Sequence, residues 1–228
     1  MNSVTRIPLP TTPGQTASLL ALQAAFAEVC NVLSPVVAQQ RCWNRVALHH
    51  LMYRKLREQF PALGSQMVCN AIFMVCKMGR LVYQGADSPF NVARMGEQLL
   101  PTLRFNTDCP VHFDSHTLSM KSGTLSIFTM GGRLRFAIRL RPAQIVLFAS
   151  RRVLEITLYQ RPDGVHELSF FFEAVVTPAA PAMPVAPEPA VRLVSVRPSV
   201  RVAALAKKSH AVSAMPRWPD YLQVEAAS

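Results

Sequence analysis

The chain has 228 residues, half of them hydrophobic, and 24 Lys and Arg against 13 Asp and Glu give a formal net charge of +11. That size and apolar share can bury one substantial core or two small ones, and the basic excess favours a polyanionic partner, of which nucleic acid is the commonest. A membrane is not expected as a partner: a spanning helix needs roughly 18 uninterrupted apolar residues, and the nearest approach, residues 17–38, is broken by Gln23, Glu28, Asn31 and Pro35.

In chain order, residues 4–9 read as a short extended piece closed by Pro8 and Pro10. Thr16 or Ser18 offers a cap to a first helix predicted to reach about Leu33, where the Ser34-Pro35 step should end or kink it. A second helix is predicted over 43–59, ended by Phe60-Pro61. A third follows over 65–84, with Ser65 as a natural N-cap and an apolar stripe of Met67, Ala71, Met74 and Met78. Three helices joined by short loops make a small bundle.

After Gly85 the signal changes, and from Val111 onward it alternates with period two, the strand signature. Strands are predicted at 118–121 and 124–130, flanking a Ser122-Gly123 turn. Others are predicted at 133–141, after Gly131-Gly132, and at 153–160 and 166–176, flanking the turn Arg161-Pro162-Asp163-Gly164. The expected fold is α+β. A first barrel strand (1–12) precedes an inserted helical recognition bundle (13–90), a small antiparallel β-barrel (91–176), and a disordered Pro/Ala-rich basic tail (177–228). Within that tail, 177–190 is almost wholly Ala, Pro and Val and reads as a semi-rigid linker; 191–228 is basic, and its only pattern is short Val/Arg alternation.

Five cysteines, Cys30, Cys42, Cys69, Cys76 and Cys109, are odd in number and never spaced as C-x-x-C, which reads as reduced cysteine rather than a disulfide framework. Cys109, His112, Asp114 and His116 have zinc-like spacing but no second ligand pair, and strand alternation alone accounts for the last three. Neither a Gly-x-Ser-x-Gly nor a His-Glu-x-x-His motif occurs. Leu168, Phe170 and Phe172 read as core.

Three pieces carry a family likeness. One runs from Leu48-His49-His50 across the Phe60-Pro61 break to Ser65-Gln66-Met67. The second is the strand run from His116 to Ile138, and the third is the hairpin from Arg161 to Val176. In order and spacing they resemble the N-terminal part of the OrfB/TnpB transposon-associated family, RNA-guided nucleases related to type V CRISPR effectors. The resemblance covers roughly residues 18–176 and implies nucleic-acid binding. In that family the last hairpin is followed by a Gly-x-Asp-x-Gly strand with the first catalytic aspartate, and later by further acids and C-x-x-C zinc knuckles. Here Thr177-Pro178-Ala179-Ala180-Pro181 follows, and the only later acids are Glu188, Asp220 and Glu225. A two-metal nuclease needs several carboxylates converging on ions roughly 4 Å apart. The expectation is therefore a recognition part with its RuvC-like nuclease domain absent, neither an enzyme nor a cofactor carrier.

What the resemblance implies falls on two sets of residues. Contacts to DNA fall on His49, Tyr53, Arg54, Arg57, Ser65, Gln66 and Lys77, where polar side chains near helix N-termini suit base edges and phosphates. The charge balance agrees: residues 1–90 hold eight basic side chains against three acids, although such charges are ordinarily a solvated face. Contacts to RNA fall on Arg133, Arg135, Arg139 and Arg141, which alternation places on one strand face with Leu134, Phe136, Ile138 and Leu140 on the other. An edge-protecting amphipathic strand is the ordinary alternative. The expected partners are structured RNA and double-stranded DNA. The protein would act either as an RNA-guided regulator or as the recognition subunit of a split effector whose RuvC-like nuclease is a separate chain. The expected setting is a prokaryotic cytoplasm, near the nucleoid. Two other functions fit the sequence: a degenerate transposon fragment with only non-specific nucleic-acid binding, and a protein interaction module acting through the basic tail.

Overall fold

The computed structural model describes residues 3–121, 123–174 and 218–225; Ser122, the linker and most of the basic tail lie outside them. The described residues form an α+β fold. Strand β1 (Ser3–Pro8) leads to three helices, α1 (Pro13–Gln40), α2 (Arg45–Gln59) and α3 (Ser65–Gln84), and then to a short α4 (Val92–Met95). Strands β2 (Thr102–Phe105), β3 (Val111–Phe113), β4 (Leu118–Lys121), β5 (Thr124–Thr129) and β6 (Gly132–Ala137) follow, then α5 (Pro142–Ser150), β7 (Val153–Gln160), β8 (His166–Phe172) and β9 (Leu222–Glu225).

Helix α1 begins one turn earlier than the sequence suggested. Thr12 is its cap: the Thr12 hydroxyl accepts from the Gln15 amide at 3.3 Å while the Gln15 side chain accepts from the Thr12 amide at 3.0 Å, a capping box with Pro13 in the first helical position. Nor does Pro35 end the helix. Its ring removes one donor to the Asn31 carbonyl, but Leu33 and Val37, both fully buried, hold the helix on course through to Gln40. Ser34 turns its hydroxyl back to the Cys30 carbonyl at 2.8 Å. By length and composition α1 could cross a membrane; here it is the central core helix, with Leu19, Leu22, Phe26 and Val29 wholly enclosed.

Asn44 caps α2 by accepting from the Val46 and Ala47 amides at 2.9 and 3.1 Å. Helix α3 is capped by Gly64, not Ser65, which sits exposed at the first helical position. Close packing dictates the glycine: a Cβ there would come within 2.8 Å of the Phe128 ring on β5.

The strands form three antiparallel sheets, ordered β1-β8-β7-β3, β4-β5-β6 and β2-β9. None closes into the expected barrel. Among the described residues, strand β3 pairs only with Ile156–Leu158 of β7. The chain then turns at Asp114, whose carboxylate accepts from the His116 and Thr117 amides at 3.0 and 3.1 Å, and leaves that sheet. On the other side β6 stops at Ala137, short of the predicted 141, because Pro142 opens α5. Gln144 of α5 then donates to the Thr5 hydroxyl at 3.3 Å and the Arg6 carbonyl at 3.5 Å, covering part of the β1 edge. Two seams therefore separate the sheets. One is lined by Phe113, Leu118, Met120, Phe148, Leu154 and Ile156, together with the carboxylates Asp114 and Glu155. The other lies between β1 and the β6–α5 connection.

The predicted hairpin turns form. Gly164 takes φ 83° and closes its turn by donating to the Arg161 carbonyl at 2.9 Å, and Gly123 takes φ 73°. Part of the tail is ordered, against expectation. Residues 222–225 pair with β2, Phe105 opposite Leu222, and Leu222 is buried. The remaining hydrogen-bonding edge of β2 is covered by a side chain: Asn31 of α1 donates to the Phe105 carbonyl at 2.9 Å and accepts from its amide at 2.7 Å.

Candidate nucleic-acid interface

The residues singled out for DNA separate into two kinds. His49 and Tyr53, one turn apart on α2, stack at 4.5 Å with 19° between their planes, and His50 sets its ring edgewise 5.9 Å from His49. Arg54 is 94% exposed and pairs loosely along the helix with Glu58 at 3.1 Å. With Ser65, these side chains are presented to solvent in whole or in part.

The other three are committed inside the protein. Arg57 donates to the Leu63 carbonyl and fastens the α2–α3 loop. Gln66 donates to the Asp114 carboxylate on the β3–β4 turn. Lys77 donates to both Glu155 oxygens on β7, at 2.6 and 2.8 Å. The same carboxylate lies 3.3 Å from His112 Nδ1. The Gln66 and Lys77 bonds span 48 and 78 residues of sequence and the Arg57 bond reaches off its helix into the next loop, which is why the pattern along a helix could not reveal them.

His112 is buried, with Phe73 against its ring and Asn70 donating to its backbone carbonyl at 3.1 Å. Burial pushes its pKa down to about 4 in spite of Glu155, so the ring is neutral near pH 7. Cys109 is also enclosed, its thiol pushed up to about 12 by burial. Among the described residues no three His, Cys, Asp or Glu side chains converge to hold a metal ion; Cys109 and His112 are buried in the core, and Asp114 holds the turn at His116.

The arginine row also divides. Arg133 is pinned: Nε donates to the Ser126 hydroxyl at 2.9 Å, Nη1 to the His116 carbonyl at 3.2 Å and Nη2 to the Ser126 carbonyl at 3.2 Å. It ties β6 to its own sheet and to the β3–β4 turn. Arg135, Arg139 and Arg141 are exposed, and among the described residues none of the three pairs with a carboxylate. The alternation that puts them outward persists past the end of β6, with Phe136 and Ile138 turned into the core.

Arg139 and Arg141 line the second seam, a cleft of about 400 Å³ whose other wall carries Arg6 of β1. Arg6 is 67% exposed and lies 3.8 Å from Glu167, a carboxylate that also takes the Tyr159 hydroxyl. Sequence reading counted Arg6 in the charge balance but not among the contact residues. The available signal was its place in the period-two pattern of β1, where Thr5 and Ile7 face inward and Arg6 outward.

Against known proteins, the chain matches no family model and no curated sequence.

Proposed function

We propose that the protein binds nucleic acid, a structured RNA alone or together with duplex DNA, and holds it without cutting, as the recognition part of an OrfB/TnpB-like effector. The observation that carries this reading is the row of exposed guanidinium groups, Arg135, Arg139 and Arg141, with no carboxylate paired to it among the described residues. Exposed arginines without acidic neighbours are what a phosphate backbone attracts, and they stand out on a chain of net charge +11. Chain order supports the likeness: the three helices fall between β1 and the strands, and β1 returns to pair with β8. The non-cutting part rests on the carboxylates of the sheet. Glu155 is engaged by Lys77 and His112, and Glu167 by Tyr159 and Arg6. A separate RuvC-like chain would supply cleavage in a split effector.

The test is recovery of the protein from its host, a high-salt wash and sequencing of the RNA retained. One dominant structured RNA, lost from the R135E/R139E/R141E variant, is the expected result. A broad mixture that washes off with salt overturns specific recognition and leaves the non-specific remnant reading.

A further inference from the structure

The seam between β1 and the β6–α5 connection has two properties together. Its floor is apolar, made by Ile7 and Ile138, which are 5% and 8% exposed, with Ala137 beside them. Its walls carry three arginines, Arg6 from one side and Arg139 and Arg141 from the other. The opposite seam, of similar size, has no arginine or lysine in its lining. The difference in charge marks the first seam as a place for an anion with an apolar portion.

Two kinds of chain could lie between sheet edges. An extended peptide would have to add to β1 through its backbone. Pro8 and Pro10 lack the N–H such a ladder needs, and the Arg6 carbonyl already accepts from Gln144 at 3.5 Å. A nucleotide needs no ladder: its phosphate takes guanidinium donors in a fork geometry, and its sugar or base covers an apolar floor. We infer that this cleft seats a phosphodiester of a single-stranded stretch of nucleic acid, the phosphate held by Arg6, Arg139 and Arg141 over Ile7, Ala137 and Ile138. The site rests on the nucleic-acid reading above and adds to it a position, a residue outside the expected set, and a preference for single strands, since a base can turn down onto the floor of Ile7 and Ile138 only where it is free of a duplex. Gln144 is a positioning residue: it bonds Thr5 and the Arg6 carbonyl across the cleft and so sets its width.

The experiment is a salt titration of binding by the full chain, read by fluorescence anisotropy. The probes are a labelled U15 RNA, the matching dT15 DNA and a 15-base-pair duplex. The variants are R6Q/R139Q/R141Q and, as a control at an exposed arginine away from the cleft, R80Q. Each phosphate contact on a single strand contributes about 0.7 to the slope of log affinity against log salt. With one phosphate seated, the triple variant is expected to lose about 0.7 in slope, and roughly fivefold in affinity at 0.1 M salt, for U15 and dT15, with the duplex changed less than about twofold. R80Q should leave both slope and affinity unchanged. The altered side chains are exposed, and matching thermal melts check that the variants fold.

If the wild-type chain binds single strands and the triple variant keeps its affinity and slope, the seam is not the seat and the wider function stands. Wild-type protein that binds no probe removes the single-strand site, and the RNA recovered from the host then decides the wider function. Displacement of U15 by millimolar inorganic phosphate, or by uridine monophosphate as readily as by unlabelled U15, makes the cleft a site for free phosphate or nucleotide and overturns the strand assignment.

Discussion

Lys77 on α3 donates to both carboxylate oxygens of Glu155 on β7, at 2.6 and 2.8 Å, and so ties the helical layer to the four-stranded sheet. The Glu155 side chain is 20% exposed and that of Lys77 41%. This pair lies between the surface regime, where ion pairs contribute little, and the buried one, where removing a partner strands a charge.

Replacing Lys77 with methionine keeps the stem and deletes the charge. The expected loss is about 1–2 kcal/mol in urea unfolding, below the range for a fully buried pair. Affinity for nucleic acid should change less than twofold. A large affinity loss at unchanged stability would instead return Lys77 to the interface.

Acid should destabilise the fold through His112. Its folded pKa is about 4 against 6.5 in an unfolded chain, so between those values the unfolded state binds the extra proton. Stability is then fully present above about pH 6.5, falls as the pH drops towards 4, and levels off below that. Glu155 and Lys77 face the ring from β7 and α3, and Glu155 opposes the shift. Burial lowers the pKa of His166 too, with the same sign. Denaturation at pH 7.5 and 4.5 should differ by about 3 kcal/mol more in the wild type than in H112Q. An identical pH dependence in the two proteins contradicts a neutral buried ring.

Gly64 is held by contact, not by dihedral angle. An alanine there meets the Phe128 ring at 2.8 Å and should cost about 1 kcal/mol, towards the low end for overpacking because the ring tip can shift. Adding F128L should recover most of it. A double-mutant cycle in thermal or urea unfolding checks this, and strict additivity would refute the contact.

Strand β9 should matter to stability out of proportion to its four residues. Leu222 is 5% exposed and lies opposite Phe105, while the Tyr221 hydroxyl reaches the Met78 sulfur at 3.9 Å. L222A should cost about 2–3 kcal/mol, and Q223A, an exposed neighbour, less than 0.5 kcal/mol. Equal effects would show that the strand is not docked.

Where local chemistry decides the outcome, the sequence was a good guide. The limits of α3, β4 and β7 follow from periodicity and turn residues, and the Arg161–Gly164 turn from its proline and glycine. It failed where distant residues decide. Pro142 looked like the end of an alternating strand, yet a proline also suits the first position of a helix, and α5 begins there. Leu222–Glu225 shows no strand signal of its own strength; its partner β2 lies more than a hundred residues away. The candidate site behaves alike. Alternation located the outward arginines, whereas the carbonyls that occupy Arg133 and Arg57, and the carboxylates that occupy Gln66 and Lys77, come from other elements.

Asn31 bears on how the molecule behaves at high concentration. Its carboxamide presents one acceptor and one donor to the Phe105 backbone, the same pair of groups a neighbouring strand would offer. With β9 along one edge and this side chain on the other, β2 has nowhere to recruit a strand from a second molecule. The residue is a stopper against intermolecular sheet growth. An N31A protein, even one that stays folded, should become prone to self-association that rises with concentration.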